Sequence, residues 1–128
     1  MKTILVADDN LASRELLRGA LETLEVRIIE AADGQEALRI IQAESPDLGL
    51  LDIQMPSLDG FAVLRAVRDL NPTNPAKVIA LTAFAMENDR QQITDAGFDG
   101  YMAKPISIAD VRRLVAQILV QPERASGV

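Results

Sequence analysis

Short apolar runs alternate along this chain with segments that have the apolar spacing of helices. Each run has the length of a strand, and each intervening segment places apolar side chains three and four positions apart, as on one helix face. The predicted strands are residues 4–7, 26–30, 48–51, 77–82 and 101–103. Strands that alternate with helices form parallel sheets covered on both faces. The pattern therefore predicts an α/β fold with a doubly wound, five-stranded parallel sheet built from five βα units.

Polar residues mark where several predicted helices begin. Asn10 is placed to cap the first helix, which should run to about Leu24, and Ser107 is placed to cap the last. Asp33, with Glu36 three positions later, resembles a capping box. The last helix carries the clearest apolar stripe, which consists of Val111, Leu114, Val115, Ile118 and Leu119.

Composition narrows the chemistry available to the domain. The 128 residues include no cysteine and no histidine, which excludes disulfides, thiolate metal sites and histidine-based catalysis within the chain. The net charge of −6 argues against direct nucleic-acid binding, and we interpret Arg112, Arg113 and Arg124 as solvated. The hydrophobic content of 48% is enough for one core, so we predict one domain over residues 1–121 and a polar tail over 122–128.

The longest apolar runs are strand-sized, and the first residues lead directly into a strand. The sequence therefore predicts no transmembrane helix, no membrane contact and no signal peptide. We expect a cytoplasmic protein.

Three acidic side chains stand at the ends of two predicted buried strands. Asp8 and Asp9 follow the first strand, and Asp52 follows the third. If these strands are parallel neighbours, the carboxylates meet at one edge of the sheet. Two like charges about 4 Å apart repel by roughly 4 kcal/mol at an effective dielectric near 20, so a bound cation is needed to hold them together. Hard oxygen ligands without histidine or cysteine favour Mg²⁺.

The ends of the fourth and fifth strands add a hydroxyl and an ammonium group. Thr82 ends the fourth strand, and Lys104 with Pro105 follows the fifth. A metal clamp, a further carboxylate, a hydroxyl and an ammonium together suit a phosphoryl group, whose oxygens need neutralising charge and hydrogen-bond donors. Asp52 is the better nucleophile for forming an aspartyl phosphate, because it stands alone at the centre of the sheet.

These motifs, taken in order, resemble the response-regulator receiver domain, the CheY-like module of two-component signalling. The resemblance covers about residues 2–120 and includes the sequences Ala-Asp-Asp-Asn (7–10), Leu-Asp-Ile-Gln-Met-Pro (51–56), Asp-Gly (59–60), Leu-Thr-Ala (81–83) and Lys-Pro (104–105). Residues 52–56 and 82–85 are most similar to those of stand-alone DivK-like regulators and of receivers attached to hybrid histidine kinases. The resemblance implies a flavodoxin-like sheet with strand order 2-1-3-4-5.

The resemblance also implies a phosphorelay chemistry. Asp52 would accept a phosphoryl group from a phosphohistidine on a histidine kinase or a histidine phosphotransfer protein. Asp9 would bind Mg²⁺ directly and Asp8 would help through water, with Asp52 and the backbone carbonyl of Gln54 as further ligands. The protein would catalyse its own phosphorylation and slow dephosphorylation without acting on an external metabolite.

The implied switch lies on the other side of the acceptor. Lys104 would contact Asp52 and later the phosphoryl group, with a cis peptide bond to Pro105. Thr82 would move toward the phosphoryl group, and Tyr101 would follow inward. The change would reach a downstream protein target through the face formed by helix 4, strand 5 and helix 5, in a monomer or a phosphorylation-dependent dimer. The segment 86–96, with few apolar anchors, belongs to the least stable part of such a fold.

Three positions call for separate interpretation. Gly49 lies inside the third strand, where an aliphatic residue is usual, and it indicates either close packing or a weakened strand. Gln54 and Phe84 stand at positions that tune water access in the resembled family, and Phe84 is expected to slow hydrolysis by crowding.

Three alternatives stay open on the sequence. A Mg²⁺-dependent phosphatase of the haloacid-dehalogenase type needs a second aspartate two residues after its nucleophile, where this chain has Gln54. A flavodoxin-like FMN carrier needs a phosphate loop after the first strand, where Asp8 and Asp9 would repel phosphate. The third alternative is a receiver-shaped interaction scaffold that works without phosphate.

Overall fold

The computed structural model describes residues 1–70, 77–83 and 86–120, apart from the side chains of residues 70, 119 and 120. Strands and helices alternate throughout. In chain order they are β1 (Lys2–Ala7), α1 (Leu11–Leu21), β2 (Val26–Ala31), α2 (Gly34–Glu44), β3 (Leu48–Asp52), α3 (Gly60–Leu70), β4 (Lys77–Thr82), α4 (Glu87–Ala96), β5 (Gly100–Ala103) and α5 (Ile108–Val120). Phe84, Arg124 and the predicted tail at 122–128 lie outside the described residues.

The five strands form one parallel sheet in the order β2-β1-β3-β4-β5. This order confirms the predicted doubly wound fold. The second strand is at one edge of the sheet, as β5 is at the other, whereas β1, β3 and β4 are central among the described strands. All five residues of β3 are buried, as expected of a strand covered on both faces.

Two apolar layers cover the sheet, one on each face, because successive side chains of a strand point to opposite faces. In β1, Leu5 and Ala7 join the layer under α2, α3 and α4, whereas Ile4 and Val6 join the layer under α1 and α5. The α1 and α5 layer contains the predicted helix faces, including Leu17, Ala20, Leu21, Val111 and Val115. Within the described residues, no helix combines the length and hydropathy needed to cross a membrane.

Helix ends refine the sequence predictions. The Asn10 side chain accepts from Ser13 N at 3.0 Å, and the Ser107 hydroxyl accepts from Asp110 N at 3.3 Å, so both predicted caps are confirmed. The first helix ends at Leu21, one turn earlier than predicted, and residues 22–25 form the turn into β2.

The capping box of α2 is only half formed. Asp33 accepts from Glu36 N at 2.8 Å, but the Glu36 carboxylate accepts from Ala32 N at 2.7 Å and not from the Asp33 amide. The side chain therefore satisfies a backbone donor one residue before the helix cap. The long, flexible Glu36 side chain reaches either amide, which is why the sequence could not distinguish them.

Arg112 also departs from the prediction of a solvated side chain. Its residue is exposed, but Nε donates to the backbone carbonyl of Ala20 at 3.0 Å. That carbonyl lies in the last turn of α1, where carbonyl groups lack helical partners. Arg112 therefore ties α5 to the end of α1. Arg113 is exposed and pairs with Asp110 on its own helix.

Candidate functional site

The register of the sheet brings four polar strand ends side by side. Ala7 pairs with Leu51, so Asp8 follows β1 next to Asp52 at the end of β3. In the same way, Asp52 pairs with Leu81, which precedes Thr82. Thr82 in turn pairs with Ala103, which precedes Lys104. The predicted site residues therefore meet at the carboxyl edge of the sheet, where ligands bind in open α/β folds.

Three carboxylates crowd this edge. Asp8 is fully buried, Asp52 is 5% exposed and Asp9 is exposed. Asp8, Asp9 and Asp52 each offer an oxygen atom within 4.8 Å of the others. One oxygen of each buried carboxylate is held by the backbone, since Asp8 Oδ1 accepts from Asn10 N at 2.9 Å and Asp52 Oδ1 accepts from Gln54 N at 3.0 Å.

Lys104 crosses the edge between the two buried carboxylates. Its Nζ lies 2.9 Å from Asp8 Oδ2 and 3.0 Å from Asp52 Oδ2. The peptide bond between Lys104 and Pro105 is cis, the conformation that the resemblance implied. The backbone N–H of Lys104 donates to the Thr82 carbonyl at 2.7 Å, which fixes the start of this loop against β4.

Burial and neighbouring charges shift the pKa values of two of these groups, Asp52 and Lys104. The pKa of the Asp52 carboxyl is raised, chiefly because burial disfavours its charged form, and the Asp8 carboxylate adds to the rise. Hydrogen bonds from Lys104 and from the Gln54 amide limit this shift. Burial alone would lower the pKa of the Lys104 ammonium, but its contacts with Asp8 and Asp52 outweigh burial and raise it. Lys104 is therefore cationic at neutral pH.

The cluster has the composition of a divalent-cation site. Three carboxylates and one ammonium leave two net negative charges when all four groups are ionised. Asp8 Oδ2 is buried and has no partner in hydrogen-bonding geometry among the described residues, although the Lys104 ammonium is close. Excess negative charge on buried carboxylates is costly unless a further cation pairs with it. The oxygen-only donors of Asp8, Asp9 and Asp52 therefore fit Mg²⁺.

The loop after β3 is held against the edge by two close backbone contacts. A Cβ on Gly60 would lie 2.9 Å from the Asp52 carbonyl oxygen, and Gly60 N donates to Ile53 O at 2.8 Å. A Cβ on Gly34, at the start of α2, would overlap the Leu58 carbonyl oxygen. Only glycine fits at Gly34, so α2 packs directly on the loop that carries the exposed Gln54.

Thr82 and Tyr101 occupy different environments. Thr82 is 3% exposed at the end of β4, beside the acidic cluster. Tyr101 is half-buried on β5, and its hydroxyl accepts from Arg90 Nη1 at 3.2 Å. The Tyr101 hydroxyl therefore lies against α4. That helix has Ile93 as its buried residue, in keeping with its predicted light anchoring.

Two charged residues near the cluster were not predicted from the sequence. Arg14 Nη1 donates to the Asp8 carbonyl at 2.7 Å, and Arg14 Nε donates to Glu30 at 3.1 Å. The signal available in the sequence was an acidic residue within the edge strand β2, a strand otherwise mainly apolar. The partner of this acidic residue depends on which helix covers the strand, and periodicity does not give that.

Comparison with known proteins agrees with this architecture. The family model of the response regulator receiver domain matches residues 4–116 of the chain. The polar-differentiation response regulator DivK of Brucella anthropi is 36% identical over 107 residues, which cover 84% of this chain and 87% of that protein. The sensor histidine kinase GacS of Pseudomonas protegens is 35% identical over 136 aligned positions, which cover 96% of this chain but 14% of the kinase.

A solved structure provides a further comparison. The receiver domain of the sensor histidine kinase PA1611 from Pseudomonas aeruginosa, described with a magnesium ion coordinated in its active site cleft, is 31% identical. Its TM-score is 0.84, and the match covers 94% of this chain and 98% of that one. Because the family model spans most of its length and its sheet has the matching topology, this chain belongs to the response regulator receiver domain family.

Proposed function

We propose that this receiver domain is a phosphorylation-driven switch that accepts a phosphoryl group on Asp52. The observation that carries the proposal is the position of the Lys104 ammonium, which lies within 3.0 Å of both buried carboxylates, Asp8 and Asp52. An acceptor carboxylate next to a fixed cation, at the carboxyl edge of the sheet, is suited to phosphoryl transfer.

The proposed reaction is a transfer of the phosphoryl group from nitrogen to oxygen. One Asp52 oxygen attacks phosphorus of a phosphohistidine on a histidine kinase or a histidine phosphotransfer protein. The P–N bond breaks, its electron pair stays on the imidazole nitrogen, and an aspartyl phosphate forms. Lys104 and the Thr82 hydroxyl would donate hydrogen bonds to phosphoryl oxygens. The backbone N–H of Gln54 already donates to Asp52 Oδ1. This leaves Oδ2, the oxygen next to Lys104, as the attacking atom.

Mg²⁺ would be held by Asp8, Asp9 and Asp52, with the Gln54 backbone carbonyl as a further ligand, and when bound it supplies neutralising charge for the phosphoryl oxygens. The oxygen-only donor set and the uncompensated negative charge of the cluster support this assignment. The magnesium described for the PA1611 receiver domain is consistent with it.

The output would be a protein–protein contact and not the turnover of an external metabolite. We assign the switch to Thr82 and Tyr101 and the output surface to α4, β5 and α5. The lightly anchored α4 supports this assignment, because a helix with one buried side chain is displaced at small cost in free energy.

Intact mass spectrometry after incubation with acetyl phosphate tests the proposal. One added phosphoryl group is expected in the wild type with Mg²⁺, little without Mg²⁺, and none in Asp52→Asn. Asp47→Asn is a matched control, because Asp47 precedes β3 at the opposite edge of the sheet and binds Thr3 N. Absence of the adduct in the wild type, together with failure to bind beryllofluoride, would favour a phosphate-independent scaffold.

A further inference from the structure

A guanidinium group grips the peptide that joins the two adjacent acidic residues. Arg14 Nη1 donates to the Asp8 backbone carbonyl at 2.7 Å, and the Arg14 side chain is only 16% exposed. This carbonyl belongs to the peptide plane between Asp8 and Asp9. Rotation of that plane changes ψ of Asp8 and φ of Asp9 together. A hydrogen bond to the carbonyl therefore restrains the directions of both acidic side chains.

Arg14 is itself held from behind by Glu30 on β2. Arg14 Nε lies 3.1 Å from Glu30 Oε1, and Arg18 Nε lies 2.6 Å from Glu30 Oε2. The hydrogen bond from Arg18 lowers the pKa of Glu30, which ensures that the carboxylate is ionised at neutral pH. A planar guanidinium that bonds Glu30 through Nε and the Asp8 carbonyl through Nη1 has its orientation fixed at two points. Edge strand β2 thereby contributes to the site through Glu30, which holds Arg14.

We propose that Arg14 is a positioning residue for the cation site, acting through the Asp8–Asp9 peptide. The inference rests on the proposed function, because it assumes that Asp8 and Asp9 hold Mg²⁺. Groups that orient metal ligands from outside the coordination sphere typically change metal affinity by about 10- to 100-fold when they are removed. The role of Arg14 is to keep both carboxylates aimed at one point before the cation arrives.

Arg18 serves as a control that separates the effect of positive charge from the effect of positioning. Arg18 pairs with the same Glu30 carboxylate and carries the same charge, and the Asp8 carbonyl bond is made by Arg14. If Arg14 acted only as a nearby positive charge, its removal would reduce repulsion and strengthen Mg²⁺ binding. A positioning role gives the opposite sign. Comparing Arg14→Ala with Arg18→Ala therefore separates the two effects.

Calorimetric Mg²⁺ titration of the wild type, Arg14→Ala, Arg14→Lys and Arg18→Ala tests the proposal. We expect Arg14→Ala to bind Mg²⁺ about tenfold more weakly and Arg18→Ala to stay within about twofold of the wild type. Arg14→Lys should lose at least about threefold, because an ammonium cannot copy the fork that bonds both partners. The Arg14→Lys variant also keeps the proposal testable if Arg14→Ala fails to fold.

The carbonyl ¹³C shift of Asp8 in metal-free protein is a second readout that a general loss of stability would not move. It should change in both Arg14 variants and stay constant in Arg18→Ala. Equal Mg²⁺ affinities in Arg14→Ala and Arg18→Ala, with an unchanged Asp8 carbonyl shift, would overturn the role of Arg14 alone. A wild type that does not bind Mg²⁺ would instead overturn the cation site itself, and with it any positioning role.

Discussion

Lys104 Nζ donates a hydrogen bond to Asp52 Oδ2 at 3.0 Å, although the two residues are 52 positions apart in the chain. The contact joins the loop after the outer strand β5 to the end of the central strand β3. It places a fixed positive charge beside the proposed acceptor before a phosphoryl group arrives. Preorganised charge of this kind needs no rearrangement during the reaction.

Lys104→Arg tests how much the shape of that cation matters. A planar guanidinium cannot occupy the compact space between Asp8 and Asp52 as an ammonium does. We expect the variant to accept a phosphoryl group but to show smaller amide shift changes in α4 and β5 on phosphorylation, measured by NMR. Lys77→Arg, at the other end of the neighbouring strand β4, should match the wild type. Shift changes of wild-type size in Lys104→Arg would refute the role of Lys104.

Asp52→Asn should stabilise the metal-free protein at neutral pH. Because the folded pKa of Asp52 is raised above its ordinary value of 3.8, the native state binds this proton more tightly than the unfolded state does. The free energy of unfolding of the wild type therefore falls as pH rises from about 3.8 through the raised pKa of Asp52. Above that pKa, the contribution of this one group has been lost completely. Asn carries no charge and avoids this loss, while Lys104 keeps Asp8 as a partner.

Urea unfolding in EDTA at several pH values measures the effect. The variant should have the higher midpoint at pH 7, and the difference should shrink as pH falls below about 3.8. A lower midpoint for Asp52→Asn at pH 7 would mean that the ion pair with Lys104 outweighs the burial of the Asp52 charge.

Arg90→Ala should loosen the position of the Tyr101 hydroxyl against α4. The Arg90–Tyr101 hydrogen bond is exposed to solvent, so we expect its loss to shift the populations of the Tyr101 side chain only modestly, by up to roughly fivefold. Tyr101 is the only tyrosine, and the chain has no tryptophan, so tyrosine fluorescence reports this side chain alone.

The unphosphorylated Arg90→Ala variant should therefore have a Tyr101 signal shifted toward that of the beryllofluoride-treated wild type. Arg27→Ala removes an arginine from the exposed pair between β2 and α2 and should have no effect. A Tyr101 signal that is the same in Arg90→Ala and in the wild type would show that this hydrogen bond does not hold the side chain.

Gly49→Ala should stabilise the domain, in contrast with Gly34→Ala. A Cβ on Gly49 would meet only Leu51 Cδ2, at 3.9 Å, beside a small apolar cavity. The close packing considered for Gly49 is therefore absent, and alanine should add about 0.5–1 kcal/mol to the free energy of unfolding. Gly34→Ala should cost more than about 2 kcal/mol, because its Cβ would overlap the Leu58 carbonyl. Urea unfolding followed by circular dichroism measures both, and a destabilised Gly49→Ala would contradict the space found beside β3.

The sheet and the cluster at its edge were predictable because they depend on local periodicity and on the residue types directly after each strand. Strand limits agree within two residues, and Asp8, Asp52, Thr82 and Lys104 fall together once the strands are parallel. Parallel register converts positions along a sequence into neighbours in space, so the acidic cluster could be predicted without side-chain detail.

Contacts between side chains of different elements could not be predicted in this way. The bond from Arg14 to the Asp8 carbonyl depends on how α1 crosses the sheet, and the bond from Arg112 to Ala20 depends on how α5 packs against α1. The direction of Tyr101 depends on the placement of α4, which has a single buried residue, Ile93. These contacts arise from packing angles that periodicity does not encode.

Chemical mapping of the phosphorylated residue shows which carboxylate accepts the phosphoryl group. Protein treated with acetyl phosphate and Mg²⁺ is reduced with borodeuteride, which converts an aspartyl phosphate to deuterated homoserine, and is then sequenced by tandem mass spectrometry. We expect deuterated homoserine at position 52 and unmodified Asp8 and Asp9. Label at position 8 or 9, or label that persists elsewhere in Asp52→Asn, would contradict the assignment of Asp52 as the phosphoryl acceptor.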